Sequence, residues 1–216
     1  MTRHQVVLAT NNAKKLVEMR RILAEHPTVS AGEVEIELLG LADVQRYPEP
    51  AETEWTFEGN ALLKARACLQ MTGLPALADD SGLAVDALNG MPGVRSARWS
   101  GPDATDEANN TLLLRQLSDI PEGRRQAEFV SAVALVLPGG AEHVRRGEMP
   151  GRVIDGLRGD NGFGYDPMFV PDGSDRTYAE LSAEEKDAIS HRGKAVRAIV
   201  GLMVDLLAGR EADVTQ

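Results

Sequence analysis

The sequence predicts an α/β protein whose sheet mixes parallel and antiparallel strands. Two observations carry that reading. In the first third of the chain, short apolar runs alternate with helical patterns, as in strand–helix–strand units. In the middle the period changes to a Val- and Ala-rich run, Phe129 to Leu137, which Gly139-Gly140 turns back into a strand around His143–Glu148. Such a hairpin excludes a purely parallel sheet.

Each element has its own local reason. Val6-Val7-Leu8-Ala9 reads as a short buried strand, followed by the polar turn Thr10-Asn11-Asn12. Leu16, Met19, Ile22 and Leu23 then recur on one helical face, and Asn before them is a favoured N-cap. Val34 to Leu39 alternates apolar residues with Glu35 and Glu37, a half-buried strand. Asp43–Glu54 is rich in proline and glutamate and reads as an exposed loop. Thr56 opens a helix running to about Met71, closed by Gly73 and Pro75. Ala76-Leu77-Ala78 is a short strand that should end at Asp79-Asp80-Ser81-Gly82. Gly90, Pro92 and Gly93 mark turns, Asp106 to Leu117 is helical, and Gly151–Ile154 is extended. Ser182-Ala183-Glu184-Glu185 has the capping-box pattern of a helix start. The last helix is expected from about Gly193 to Leu207, with Val196, Ile199, Met203 and Leu206 inward. With no internal repeat in 216 residues, we expect one domain over 1–216, as a single body or as two intimate lobes.

Composition narrows the function classes. A hydrophobic fraction of 43% with 26% charged residues is that of a globular chain, not a disordered tail or a fibre. With 23 Lys+Arg against 33 Asp+Glu the formal net charge is −10, which opposes binding along a nucleic-acid polymer. It does not oppose a small anion met by a few placed cations. The single Cys68 excludes an intrachain disulfide or cysteine-rich zinc site, and reads as a small buried hydrophobe. The N-terminus resembles no signal peptide, and the apolar stretches fall short of the ~20 residues of a membrane span. A cytoplasmic, membrane-free setting is expected. Trp55 and Trp99 are expected to pack in the core or in loops, with lining a cleft as the alternative. His4, His26, His143 and His191 show no metal spacing, and no Ser sits in a nucleophile elbow.

Four segments can carry chemistry. Thr10-Asn11-Asn12-Ala13-Lys14-Lys15 places a helix start, with its amides and positive dipole end, after a strand. That suits phosphate and equally suits an ordinary capped helix. Asp79-Asp80-Ser81-Gly82 ends a strand where ligand clefts of open α/β sheets lie, and adjacent strand residues face opposite ways. A carboxylate there suits Mg²⁺ or proton abstraction from water, while an Asx turn explains the same residues. Gly162-Phe163-Gly164-Tyr165-Asp166-Pro167 offers an aromatic face for a nucleobase, or is a Gly/Pro turn with a core Phe; two aromatics in six residues stand out where aromatics are 4% of the chain. Lys186 and Ser190-His191-Arg192-Gly193 present donors suited to a ring carbonyl, or form a solvated helix junction. Lys186 and Ser190 share a face if the helix runs that far.

Taken together, VLATNNAKKLVE, TFEGNALLKA, ALADDSGLAVDALNGMPGVRSARWSG, GFGYDP and EEKDAISHRG closely resemble the inosine triphosphate pyrophosphatase family, its bacterial branch above all. The resemblance runs from Val6 to about Leu207. It implies an elongated mixed sheet flanked by helices, two lobes around a central substrate cleft, and a homodimer. It implies Mg²⁺-dependent conversion of inosine, deoxyinosine and xanthosine triphosphates to the monophosphate and pyrophosphate. By motif, Thr10, Asn11, Asn12, Ala13, Lys14 and Lys15 correspond to the triphosphate-contacting turn, and Asn60 and Lys64 to a block lining the same cleft. Asp80 corresponds to the catalytic base and metal-associated carboxylate, and Ser81 to a substrate contact. Phe163, Gly164, Tyr165 and Asp166 correspond to the base-stacking segment, and Lys186, His191 and Arg192 to base recognition. The family commonly carries paired glutamates before the Thr-Phe block. Here the stretch is Glu49-Pro50-Ala51-Glu52-Thr53, so Ala51 replaces one carboxylate, and Glu52 is the expected second metal carboxylate, with Glu49 as the alternative. A nucleotide sensor with impaired catalysis, favoured by Ala51, and the related septum-inhibition-type pyrophosphatases are the competing readings.

Overall fold

The computed structural model describes residues 3–210. The elements in chain order are β1 (Arg3–Leu8), α1 (Ala13–Glu25), α2 (Pro27–Ser30), β2 (Glu35–Gly40), α3 (Phe57–Thr72), β3 (Ala76–Val85), β4 (Met91–Pro92), α4 (Asp106–Gln116), β5 (Gln126–Val136), β6 (Glu142–Val153), β7 (Phe169–Pro171), α5 (Ala183–Ile189) and α6 (His191–Leu207). The hydrogen-bonded strand order is β2-β1-β3-β5-β6-β7, with β4 on β3. β1 is parallel to β2 and β3, whereas β4 runs antiparallel to β3 and β7 antiparallel to β6. The expected mixed α/β fold is therefore present.

The chain forms two compact units, passing from one to the other after Asp80, Ser131, Arg146 and Lys194. The first unit holds β1, β2, α1, α3 and the greater part of α6. Its core joins Val6 and Leu8 of β1, Met19, Ile22 and Leu23 of α1, Leu38 of β2, Leu77 of β3 and Val196, Ile199 and Met203 of α6. The 3.6-residue spacing in both helices brings these side chains onto one face, so each helix hides its apolar stripe. The second unit holds α4 and α5. Its core joins Leu83 and Val85, Leu113 and Leu117, Phe129, Met149, Val153, Met168, Phe169 and Tyr178.

Four expectations are corrected. β3 does not end at Asp79: it continues through Asp80-Ser81-Gly82 to Val85, because Leu83 and Val85 are core residues and Ala84 and Val85 pair with β4. The strand around His143–Glu148 and the extended stretch from Gly151 that continues it are one strand, β6, as expected. α5 stops at Ile189 and Ser190 is extended (φ −66, ψ 151), so Lys186 and Ser190 do not share a continuous helix. Ser190 Oγ instead accepts the Gly193 N–H at 3.0 Å, and α6 begins at His191, two residues earlier than expected. Trp55 is 91% exposed rather than packed. It precedes the N-cap Thr56, where an apolar residue would pack on the fourth helical residue, but that residue is Asn60. Cys68 is buried in α3 as expected.

Candidate active site

In the first unit the chemistry gathers around Asp79 and Asp80 of β3. The N-cap of α3 is Thr56, whose Oγ1 accepts the Gly59 N–H at 3.0 Å. That start places Asn60 and Lys64, four residues apart, on one face of the helix. Both reach Asp80: Asn60 Nδ2 donates to Oδ2 at 3.2 Å and Lys64 Nζ to Oδ1 at 3.0 Å. Lys64 Nζ also donates to Glu52 Oε1 at 3.1 Å, so of the two glutamates weighed above, Glu52 is the one on this lysine. Asn60 is wholly buried and accepts the Glu54 N–H at 3.1 Å, tying the acidic loop to Asp80. Asp79, on the opposite side of the strand, pairs with Lys15 of α1 at 2.7 Å.

Burial pushes the Asp80 carboxyl above its ordinary range, against the opposing pull of Lys64. Burial alone would lower the Lys64 ammonium, but the charges of Asp80, Asp79 and Glu52 raise it, so Lys64 is held cationic. The cluster thus combines a buried, proton-avid carboxylate with two lysines. The turn before α1 is built as a cap: the Asn12 N–H donates to Thr10 Oγ1 at 3.2 Å and the Lys15 N–H to Asn12 Oδ1 at 3.4 Å. Thr10 and Asn12 are half-buried, and Asn11 and Ala13 are exposed. The side chain of Lys14 lies outside the described residues.

The second unit contains a pocket of about 570 Å³, mouth included. Its lining includes Ser81, Phe163, Gly164, Tyr165, Asp166, Lys186, His191 and Arg192, the eight residues that the motifs assign to that unit. The Phe163 ring is 39% exposed, with Lys186 Nζ at 5.2 Å and Arg192 Cζ at 5.4 Å from its centroid. Cations over a ring face steady both partners. Lys186 also donates to Asp166 Oδ2, which accepts the Phe163 N–H at 2.9 Å. Gly162 makes this possible: at φ +78, a Cβ there would meet Asp166 Oδ2 at 2.0 Å. Arg192 Nη2 donates to Ser81 Oγ at 2.9 Å. His191 is buried and stacks on Phe129 at 4.8 Å.

Two side chains of the stacking motif point elsewhere than a flat platform would need. Tyr165 is buried with its hydroxyl donating to Ser96 O at 2.9 Å, and burial raises its phenol well above the ordinary value. Asp166 is 2% exposed and holds the loop from within. Of the two rings in the motif, Phe163 is therefore the exposed one. Sequence reasoning passed over Asp79 as Lys15's partner, and Asp106, Asn109 and Ser96 in the pocket wall. One signal was there: Asp106, Asn109 and Asn110 fall on the same helical face as Leu113 and Leu117, polar residues in an inward stripe.

A wider groove beside α1 and β2 carries no comparable chemistry. Its cation, Arg20, donates twice to Leu38 O, at 3.1 and 2.8 Å, and pairs with Asp43. Among the described residues no helix is long and apolar enough to cross a membrane, and no group of three His, Cys, Asp or Glu is placed to hold a metal by itself.

Comparison with known proteins gives the family. The Ham1 family model matches residues 6–202. A dITP/XTP pyrophosphatase of Cutibacterium acnes is 58% identical over 208 residues, covering 95% of this chain and 99% of that protein. One of Nocardia farcinica is 57% identical over 206 residues, covering 95% and 98%. Among solved structures, a nucleoside-triphosphatase / dITP/XTP pyrophosphatase from Mycobacterium abscessus superimposes with TM-score 0.75 at 54% identity, covering 90% of this chain and 98% of that one. A HAM1 protein from Coxiella burnetii gives TM-score 0.84 at 38% identity, covering 94% and 99%.

Proposed function

The chain belongs to the Ham1 family, and from that premise we propose that it is a Mg²⁺-dependent pyrophosphatase converting ITP, dITP and XTP to the monophosphate and pyrophosphate. The observation that carries the reading is Lys64 Nζ bonded at once to Asp80 and Glu52, with Asp80 buried. The names of the relatives above support the substrate class. Glu52 reaches Lys64 although Ala51 stands beside it, which supports Glu52 as the second metal carboxylate and favours the hydrolase over the sensor reading.

The donor set fits magnesium. That hard cation takes one or two carboxylates together with phosphate oxygens and waters, and Asp80 and Glu52 supply two carboxylates sharing one lysine. When bound, magnesium supplies neutralisation of triphosphate charge. Asp80 takes a proton from water as the water oxygen forms its bond to the α-phosphorus. The α–β bridging bond breaks, and its electron pair leaves with pyrophosphate. A carboxylate raised by burial is a better base for this step than an exposed one. Lys15 and Lys64 offset the charge that develops on the leaving group, a preorganised contribution of the kind that dominates such reactions.

In the pocket, the Phe163 face stacks the purine, an interaction worth ~1–3 kcal/mol in single-strand binders. Lys186 and Arg192 donate toward a 6-keto oxygen. Adenine presents an amino donor at that position, and a site built on such bonds rejects the wrong group by ~10⁴-fold or more. A homodimer in the cytoplasm belongs to the same proposal.

The test is pyrophosphate release from ITP, XTP, ATP and GTP with and without Mg²⁺. Release from ITP and XTP, abolished by chelation, is the expected result, with ATP rejected for its 6-amino group and GTP, which keeps the 6-keto oxygen, rejected through its 2-amino group. Asp80→Asn should lower kcat by about 10²–10⁴-fold. Near-wild-type turnover in that variant would remove Asp80 from the role of base.

A further inference from the structure

Helix α4 approaches the aromatic loop with two polar side chains one turn apart. Asp106 Oδ2 accepts the Gly164 N–H at 2.7 Å, and Asn110 Nδ2 donates to Gly164 O at 3.0 Å. Both backbone polar groups of one loop residue are thus held from a single helix. Gly164 sits at φ +62, a conformation that gives the loop its reversal just after Phe163. On the other side of the ring, the Phe163 N–H is held by Asp166. The half-exposed ring is therefore fixed at its own amide and at the next residue.

The polar residues of α4 suit this contact to positioning rather than to packing. Asn110 is 4% exposed, and its Oδ1 has no hydrogen-bond partner among the described residues. A buried amide with an unmet acceptor is costly, and an apolar side chain at the same place would pack beside Leu113 without that cost. The amide's Nδ2–Gly164 bond is what such a substitution would remove. Asp106 adds a charge-assisted bond, shorter and stronger than a neutral one.

We propose that Asp106 and Asn110 are positioning residues that clamp Gly164 and so hold the Phe163 ring in place for the base. The inference rests on the reading of this pocket as a purine site. Losing either side of the clamp lets the ring sample other positions, which weakens capture of the base. The lysine–carboxylate cluster around Asp80 is untouched.

The test compares steady-state kinetics of the Mg²⁺-loaded wild type, Asp106→Ala, Asp106→Asn and Asn110→Leu with ITP, alongside competitive inhibition by inorganic tripolyphosphate. In Asp106→Ala and Asn110→Leu, KM for ITP should rise roughly ten-fold or more while kcat stays within about two- to three-fold. The inhibition constant of tripolyphosphate, which has no base, should not move. Asp106→Asn keeps an acceptor for the Gly164 N–H and should recover most of the lost affinity. An unchanged KM in Asp106→Ala overturns the inference, and so does a parallel loss of tripolyphosphate binding or an Asp106→Asn variant no better than Ala. Asp106 is exposed, so Asp106→Ala decides the matter if Asn110→Leu does not fold. A wild type that neither binds nor hydrolyses ITP overturns the pocket assignment itself. An active wild type with indifferent variants overturns the clamp alone.

Discussion

Lys64 stands between two carboxylates, and its charge decides how Asp80 titrates. Burial raises Asp80 and Lys64 pulls it back, so removing the ammonium leaves burial opposed only by the Asn60 hydrogen bond. In the magnesium-free protein, Lys64→Met should move the Asp80 midpoint to higher pH, measured by carbonyl-carbon NMR titration. A midpoint that stays or falls would show that Lys64 does not govern this group. The residues of the cluster were legible in the sequence as types: acids at a strand end, a lysine four residues after an asparagine. Their pairing was not. Lys15 meets Asp79 and Lys64 meets Asp80 because alternation along β3 sends adjacent side chains to different helices, α1 and α3. Tyr165 shows the reverse limit. Its place in the motif is readable, but a buried hydroxyl needs an acceptor, and only folding brings Ser96 O to it.

At the scale of elements, local rules held wherever the stabilising contact is local. The caps at Thr56 and Ser182 and the left-handed Gly73 at the end of α3 (φ 70) all follow from nearby residues. β3 did not follow its local signals, since Asp, Ser and Gly are turn formers and yet lie within a ten-residue strand. Gly82 explains part of this. A Cβ there would meet Ser96 Oγ at 2.3 Å and the Gly93 carbonyl oxygen at 2.5 Å, so the glycine admits the Gly93–Arg98 turn against the strand. Gly82→Ala should destabilise the protein by about 1–3 kcal/mol, because a backbone atom cannot step aside as a side-chain tip can. Urea unfolding measures it, and a change below about 0.5 kcal/mol would mean that the turn relocates freely.

At the scale of the whole molecule, stability is divided between two cores of separate composition. One is closed by α6, whose Ile199 and Met203 are fully buried, and the other by α4, whose Leu113 is fully buried together with Leu117 at its C-cap. Ile199→Ala and Leu113→Ala should each lower unfolding free energy by about 2–5 kcal/mol in urea titrations, with a spread set by how far each site collapses. A loss under about 1 kcal/mol for either would mark that core as dispensable to the cooperative transition. Composition behaves differently at this scale. The net charge of −10 constrains partners, but it says nothing of the cations gathered locally at Lys15 and Lys64 or over the Phe163 ring.

By itself the sequence determined the fold class, most elements, the capping residues and the five motif blocks, because periodicity, caps and turns depend on residues within a few positions of one another. The tertiary structure alone decided that β3 continues past its acids, that Glu52 rather than Glu49 meets Lys64, and that α4 holds the aromatic loop. Asp106 and Gly164 are 58 residues apart, and Arg192 and Ser81 are 111 apart. No local pattern encodes such a meeting. It exists because burying the apolar faces of α4, β5 and β6 in one core leaves their polar side chains a single set of partners within reach.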